Sequence, residues 1–88
     1  MRIKRDPMVI WEQVDGLTAL LHTGTGAYHR TNEVGRLIWE ACEGRTVDEV
    51  AESVHQTFPD ADFALIQRDV ERYITSLHTA KLLEWQAD

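Results

Sequence analysis

The sequence contains a single cysteine, Cys42, among its 88 residues. One thiol excludes an intramolecular disulfide and is typical of proteins kept in a reducing compartment, so a cytoplasmic location is expected. No apolar run approaches the roughly 20 residues of a membrane-spanning helix. The charged start, residues 1–8, lacks the apolar core of a signal peptide. We therefore expect no membrane partner and no secretory leader.

Positive charge is scarce as well, because nine Lys and Arg residues stand against fifteen Asp and Glu, for a net charge of −6. Neutralising phosphates requires an excess of cations, so the balance argues against a nucleic-acid partner. It favours solubility and partners of basic character. The length predicts a single domain over residues 1–88, with room for one core and little room for an interior active site.

No catalytic or metal-binding constellation stands out, so neither an enzyme nor a cofactor is predicted. The histidines lack closely spaced ligand partners, which excludes the clustered set that zinc requires; they are His22, His29, His55 and His78. Cys42 has no signalled base and is interpreted as a small buried apolar residue. The TGTG run at 23–26 lacks the GK[ST] ending of a phosphate loop and predicts a turn.

Alternation and turn residues predict three antiparallel strands after a loose polar arm at residues 1–7. Asp15-Gly16 predicts a two-residue type I′ turn between the first strand and a second at 17–22. A third, short strand is predicted at 27–30. It ends the meander, so its outer backbone groups have no predicted partner.

Three helices are predicted after the strands. Asn32 is a natural N-cap for the first, with Gly35 marking a close contact and Gly44 a stop. The expected apolar face of this helix is Val34, Leu37, Ile38 and Ala41. Thr46 and Glu49 form a capping box that starts the second helix.

The second helix is expected to end at Phe58-Pro59, and Asp60-Ala61-Asp62 to supply the cap of a third helix from about 63 to 79. The inward positions of the third helix are Ile66, Val70, Tyr73, Ile74 and Leu77. The apolar tail, Leu82, Leu83 and Trp85, is expected to fold back onto the core.

Four segments together resemble a known family: WEQVDG (11–16), GAYHR (26–30), NEVGRLIWEACEGRTVDEV (32–50) and DVERYITSLHTAKLLE (69–84). In this order they resemble the PqqD-like leader-peptide recognition elements of ribosomal peptide natural-product pathways. The similarity is greatest to the discrete proteins of lasso-peptide biosynthesis. It implies an α+β fold, a winged helix-turn-helix-like module with three antiparallel strands followed by three helices.

The resemblance also implies that a precursor's leader peptide adds as a strand beside the third strand, facing the third helix. The open edge predicted from the residues agrees with this. The candidate peptide-binding residues are Ala27, Tyr28, His29, Arg30, Asp69, Arg72, Tyr73, Ser76 and Leu77. Of these, Tyr73 and Leu77 would form an apolar floor, and Asp69 and Ser76 a polar rim. A solvated ion pair is the alternative interpretation of Asp69 and Arg72.

The function that follows is a non-catalytic adaptor that hands the precursor to a leader peptidase or another modifying enzyme. Service to a radical-SAM enzyme is the alternative within the family. A winged-helix DNA-binding regulator is the alternative of another class. The third helix mixes potential base-reading residues with acids, which disfavours DNA binding: Gln67, Arg68 and Arg72 among Asp62, Asp69 and Glu71.

Overall fold

In the computed structural model, which describes residues 1–87, three helices pack together and the first of them lies on one face of a three-stranded antiparallel sheet. The sheet order is β2-β3-β4, and a separate two-stranded ribbon pairs β1 with β5. The elements are β1 Arg2–Arg5, β2 Val9–Val14, β3 Leu17–His22, β4 Tyr28–Thr31, α1 Glu33–Ala41, α2 Val47–Thr57, α3 Phe63–Thr79 and β5 Leu83–Gln86. The predicted α+β class, with three antiparallel strands before three helices, is confirmed.

The turn between β2 and β3 has the predicted geometry. Asp15 and Gly16 adopt φ values of 52° and 78°, the two positive angles that a type I′ turn requires. Its register pairs Val14 with Leu17 and Val9 with His22. Because side chains alternate along a strand, Thr18, Leu20 and His22 face the helices and are buried.

All three predicted helix starts are confirmed by their caps. The Asn32 side chain accepts a hydrogen bond from Gly35 N at 3.0 Å. Thr46 and Glu49 form the reciprocal capping box, and the Asp62 side chain accepts from Ala64 N. Each cap satisfies backbone donors that the first helical turn would otherwise leave unpaired.

The first residues of the chain, 1–7, were predicted wrongly to be a loose arm. Residues 2–5 form β1, which pairs antiparallel with β5 in a register that joins Arg2 to Gln86. Ile3 is fully buried, and its backbone also bonds to Gly44 and Arg45. Gly44 was predicted to stop α1; it is left-handed (φ 72°), but it lies one residue further on, because Glu43 separates it from the Cys42 cap.

The buried face of α1 is rotated from the predicted one. Its buried positions are Gly35, Ile38 and Trp39, followed by Cys42 at the cap, whereas Val34 remains 41% exposed. The indole of Trp39 displaces the expected face because it is fully buried in the core and packs against Trp11 in a T-shaped arrangement, with ring centroids 5.5 Å apart. The rotation leaves Val34 on the surface beside β4.

The turn between β3 and β4 is organised by a buried histidine. Nδ1 of His22 accepts hydrogen bonds from Gly24 N and Thr25 N, each at 3.0 Å. Nε2 lies 3.1 Å from a carboxylate oxygen of Asp6. An acceptor at Nδ1 and a donor at Nε2 define the neutral imidazole with its proton on Nε2. His22 therefore ties the turn before β4 to the segment that precedes β2.

Candidate functional site

The outer edge of β4 is open within residues 1–87. His22 N donates to Ala27 O at 2.9 Å, and antiparallel pairs alternate between bonded and non-bonded positions. The backbone groups of His29 and Thr31 therefore point toward β3. Those of Tyr28 and Arg30 point away from it. Two residues thus offer unpaired N–H and C=O groups to an incoming strand.

A cleft of about 430 Å³ lies beside this edge, between β4, the first turns of α1 and the middle of α3. We call it the edge cleft. Its lining residues are His29, Arg30, Thr31, Asn32, Val34, Gly35, Ile38, Asp69 and Tyr73. An extended peptide paired with Tyr28 and Arg30 would point alternate side chains into this space.

Tyr73 links the walls of the edge cleft. Its hydroxyl shares a hydrogen bond with His29 Nε2 at 3.3 Å and bonds the Thr31 side chain. Burial raises the pKa of the Tyr73 phenol, so the group is a neutral donor at physiological pH. Gly35 lies against the same cluster, where an added Cβ would overlap the Thr31 side chain and come within 2.9 Å of the Tyr73 hydroxyl. The predicted close contact at Gly35 is confirmed.

A second, more apolar hollow of about 200 Å³ continues the edge cleft between the three helices. We call it the apolar pocket. Val34, Ile38 and Asp69 line both spaces. The remaining walls of the pocket are Val54, Phe58, Ala61, Ile66 and Val70. Asp69 therefore borders both the partly polar edge cleft and the apolar pocket.

The structure brings together four of the residues proposed to bind peptide: His29, Arg30, Asp69 and Tyr73. Tyr28 lies on the adjacent edge, 61% exposed. Ala27 precedes the strand, and its backbone groups are already used by His22 N and Thr25 Oγ1.

Three candidates on α3 lie away from the edge cleft. Leu77 is fully buried in the core. The Ser76 hydroxyl donates to Tyr73 O at 2.7 Å, a bond within the helix. Arg72 borders a separate recess with Arg68, Glu71 and Thr75. On α3, Asp69 and Tyr73 line the edge cleft, and Ile66, Asp69 and Val70 line the apolar pocket. This stripe stops at Tyr73 and does not reach Ser76 or Leu77.

The peptide-binding residues predicted from the sequence include none from α1 or from the connection between α2 and α3. Val34, Gly35 and Ile38 supply one wall of the cleft, and Phe58 supplies part of the pocket. The N-cap at Asn32 could have indicated the α1 wall from the sequence. It begins α1 immediately after β4, and so places the first helical turn beside the strand edge. Phe58 has no comparable local signal.

The edge cleft offers a bound molecule backbone hydrogen-bonding groups, the His29–Tyr73 pair, a carboxylate and apolar side chains. Within residues 1–87, no three His, Cys, Asp or Glu side chains are grouped to hold a metal ion. Burial raises the pKa of the Cys42 thiol to about 11, and the side chain is fully enclosed. In the same part of the chain, no helix is both long and apolar enough to cross a membrane.

Comparison with known proteins gives two structural neighbours. TbiB1 in complex with the TbiA(beta) leader peptide is 29% identical, with a TM-score of 0.82 over 97% of this chain and 99% of that one. A lasso peptide synthetase B1 complexed with the leader peptide is 21% identical, with a TM-score of 0.81 over 97% of this chain and all of that one, and shows the shared fold. No curated protein matches the chain.

A family model gives the assignment. Residues 17–83 match the family described as Coenzyme PQQ synthesis protein D (PqqD). The matched segment runs from the start of β3 to the start of β5, and so contains both β4 and α3. Because it spans well over half of the sequence, the chain belongs to the PqqD family.

Proposed function

We propose that the protein is a non-catalytic adaptor that binds the leader peptide of a ribosomally made precursor and presents it to a processing enzyme. The observation that carries this proposal is the open edge of β4 running beside the edge cleft. Membership of the PqqD family supports it, as do two similar structures that were determined with leader peptides bound.

The peptide adds to the sheet as a strand antiparallel to β4. Its backbone bonds to the N–H and C=O groups of Tyr28 and Arg30, and alternate side chains enter the edge cleft. There they meet the His29–Tyr73 pair and Asp69. The other side chains of the added strand emerge on the opposite face of the sheet.

The direction of the strand determines which part of the peptide reaches the apolar pocket. β4 runs toward the start of α1, and the pocket lies beyond that end, past Val34. An antiparallel peptide therefore enters over the pocket and leaves near Tyr28. Apolar or aromatic residues N-terminal to the paired segment would occupy the pocket.

The free energy of leader binding requires side chains buried in this pocket as well as backbone hydrogen bonds. Four edge hydrogen bonds contribute about 2–6 kcal/mol in total, at roughly 0.5–1.5 kcal/mol each. Ordering a disordered peptide costs about 2–5 kcal/mol or more, which cancels most of that gain. Each apolar side chain buried in the groove adds about 1.5–3 kcal/mol. Micromolar binding, at about −8 kcal/mol, therefore needs about three or more such side chains.

The processing partner in this proposal is a leader peptidase. Similarity to a lasso peptide synthetase B1 supports this choice over a radical-SAM enzyme. The protein itself leaves the precursor intact, since its thiol is enclosed and both nitrogens of His22 are engaged. Incubating the precursor with the protein alone, and then with the peptidase, tests this division of labour. Cleavage by the protein alone would overturn it.

Hydrogen exchange tests the location of the peptide. Adding leader peptide should slow exchange of the Tyr28 and Arg30 amides, whose N–H groups point outward. The His29 amide serves as the internal control because β3 already protects it. Protection along β2, with no change at Tyr28 and Arg30, would place the peptide on the wrong edge of the sheet.

A pair of substitutions on α3 tests the groove. Asp69→Ala should weaken leader binding roughly tenfold, the effect of about 1.4 kcal/mol, if its carboxylate bonds the peptide. Ser76→Ala is the matched control, because this hydroxyl lies on the same helix outside both the cleft and the pocket. Both variants should keep the wild-type melting temperature. Equal affinities for the two variants would contradict the proposed role of Asp69.

A further inference from the structure

His22 is a buried histidine that lies outside both the edge cleft and the apolar pocket. The residue is 6% exposed, and both of its ring nitrogens are bonded. Nδ1 accepts hydrogen bonds from the backbone N–H groups of Gly24 and Thr25, and Nε2 donates to the Asp6 carboxylate. Burying a polar side chain is costly unless its hydrogen bonds are made, so these three bonds keep the ring in place. Two of them end on the turn that leads into β4.

We infer that His22 is a positioning residue for leader binding: its neutral imidazole holds the turn at residues 23–26 closed, which preforms the Tyr28 end of the open edge, and protonation of Nδ1 releases that turn. This inference rests on the proposed function, because the edge concerned is the one to which the leader peptide adds. His22 does not touch the peptide. It acts through the backbone at the start of β4.

The start of β4 depends on this turn. β4 pairs with β3 over four residues, and the pairing ends where Leu21 meets Tyr28. Tyr28 and Arg30 carry the outward backbone groups, so Tyr28 supplies half of the groups that an added strand can bond. Two of the four turn residues are glycines, and Gly26 has a φ of 80°. Glycine loses more conformational freedom on ordering than any other residue, so this turn needs bonds that keep it closed.

The imidazole can hold the turn because it is itself held. Asp6 bonds Nε2 of His22 through one carboxylate oxygen at 3.1 Å and accepts from Met8 N through the other at 2.8 Å. Thr23 donates to Met8 O through its N–H and its hydroxyl, at 2.8 and 2.7 Å. The turn is therefore fastened to residues 6–8 at two points, which preorganises the edge before any peptide binds.

Protonation changes what Nδ1 can do. An imidazolium carries N–H groups at both ring positions and cannot accept bonds from the two turn amides. Within residues 1–87, Asp6 is the only acidic side chain in ion-pair contact with the ring, so the helices supply none. Lys4 acts on the same carboxylate from β1, and the strand neighbours of the histidine are apolar: Val9 on β2 and Ala27 before β4. The protonated ring therefore keeps its bond to Asp6 and releases the turn.

The proton and the leader peptide should compete. The Met8 backbone N–H, and then His22, hold the pKa of Asp6 below its ordinary value, so this carboxylate stays ionised down to about pH 5.5. A peptide that binds only the closed turn has an apparent dissociation constant that rises as the closed fraction falls. Opening about two thirds of the molecules weakens binding about threefold. Bound peptide should in turn keep the imidazole neutral, since the coupling is reciprocal.

Two substitutions of nearly the same shape separate the hydrogen bonds from the packing. His22→Asn keeps an acceptor attached to Cγ, and asparagine commonly bonds the backbone N–H two residues on, which here belongs to Gly24. His22→Leu places carbon at both branch positions and accepts nothing. Neither replacement titrates. Fluorescence anisotropy with a synthetic leader peptide measures the affinity of both variants and of the wild type at about pH 7.5 and about pH 5.5, a range in which histidine changes charge. Melting curves confirm the fold at each pH.

The wild type should bind the leader peptide about threefold or more weakly at the lower pH than at the higher one. His22→Asn should bind within about twofold of the wild type at the higher pH and should lose the pH dependence. His22→Leu should bind about tenfold more weakly at both, because two hydrogen bonds to the turn are lost. In the free wild type, the amide NMR signals of Gly24 and Thr25 should shift between the two pH values, and in His22→Asn they should not.

Equal leader affinities for the folded His22→Leu and His22→Asn variants would overturn the inference, as would a wild type that binds equally well at both pH values. His29 lies in the edge cleft, so His29→Gln is the control. A pH dependence that persists in His22→Asn and disappears in His29→Gln would also overturn the inference. Failure of the wild type to bind leader at either pH would instead refute the proposed function, while the signals of Gly24 and Thr25 would still show whether the imidazole holds the turn.

Discussion

Replacing Gly35 with alanine sets two known effects against each other. Alanine is favoured over glycine inside a helix by about 1 kcal/mol, and α1 contains Gly35 in its first turn. The added methyl group, however, would overlap the Thr31 side chain and come within 2.9 Å of the Tyr73 hydroxyl. Overpacking of this kind costs about 1–3 kcal/mol. The cost of the clash should exceed the gain in helix propensity, so that Gly35→Ala lowers the free energy of unfolding by about 1 kcal/mol.

Urea denaturation measures this balance. The midpoint should fall while the m-value stays constant, and the melting temperature should drop by about 4–8 °C per kcal/mol for a domain of this size. Leader affinity should fall as well, because Thr31 and Tyr73 line the edge cleft. A stabilised Gly35→Ala protein would refute the reasoning, since propensity would then outweigh packing.

A double-mutant cycle identifies the source of the cost. In a Thr31→Ala background the hydroxyl oxygen that obstructs the new methyl group is absent. The penalty of Gly35→Ala should then shrink by about 0.5 kcal/mol or more, which is the range of coupling seen for residues in contact. Equal penalties in both backgrounds would show that the clash with Thr31 is not the cause.

The remaining predictions concern two titratable groups. Cys42 should resist thiol reagents at neutral pH in the folded protein and react fully in denaturant, because its side chain is enclosed and its pKa is raised to about 11; rapid labelling of the native state would contradict this. The Met8 backbone N–H, and then His22, hold the pKa of Asp6 below its ordinary value. The stability that Asp6 contributes is therefore complete above the ordinary carboxyl pKa and is lost as the pH falls through the lowered one. Asp6→Asn should reduce the loss of unfolding free energy at acid pH that urea titrations measure. An unchanged loss would show that other carboxylates produce it.

Local signals in the sequence were sufficient for the helix starts and the first hairpin. Asn32, Thr46 and Asp62 each act on a backbone donor two or three residues away, so tertiary packing is not needed to predict them. The Asp15-Gly16 turn is similarly local. The PqqD-like resemblance, carried by segments in a fixed order, supplied the fold that these pieces build.

What escaped prediction depends on contacts between distant parts of the chain. β1 carries one buried apolar residue, Ile3, and its partner strand is at the other end of the sequence. The walls of the edge cleft come from three elements, and a helical wheel of α3 alone cannot tell which flank meets β4. The periodicity of α3 selected Asp69 and Tyr73, which line the edge cleft, together with Ser76 and Leu77, which lie outside it. The rotation of α1 around Trp39 decides where the cleft opens.

The pairing of β1 with β5 has a practical consequence for engineering. Because Arg2 lies opposite Gln86, both ends of the described chain emerge side by side from one ribbon. The ribbon contacts the chain just after the end of α1, through Ile3 and Glu43, whereas the edge cleft lies at the start of that helix. A helix of nine residues puts roughly 13 Å between these two places. A tag or fused domain at either end should leave the cleft accessible, and a short linker joining the ends would permit circular permutation.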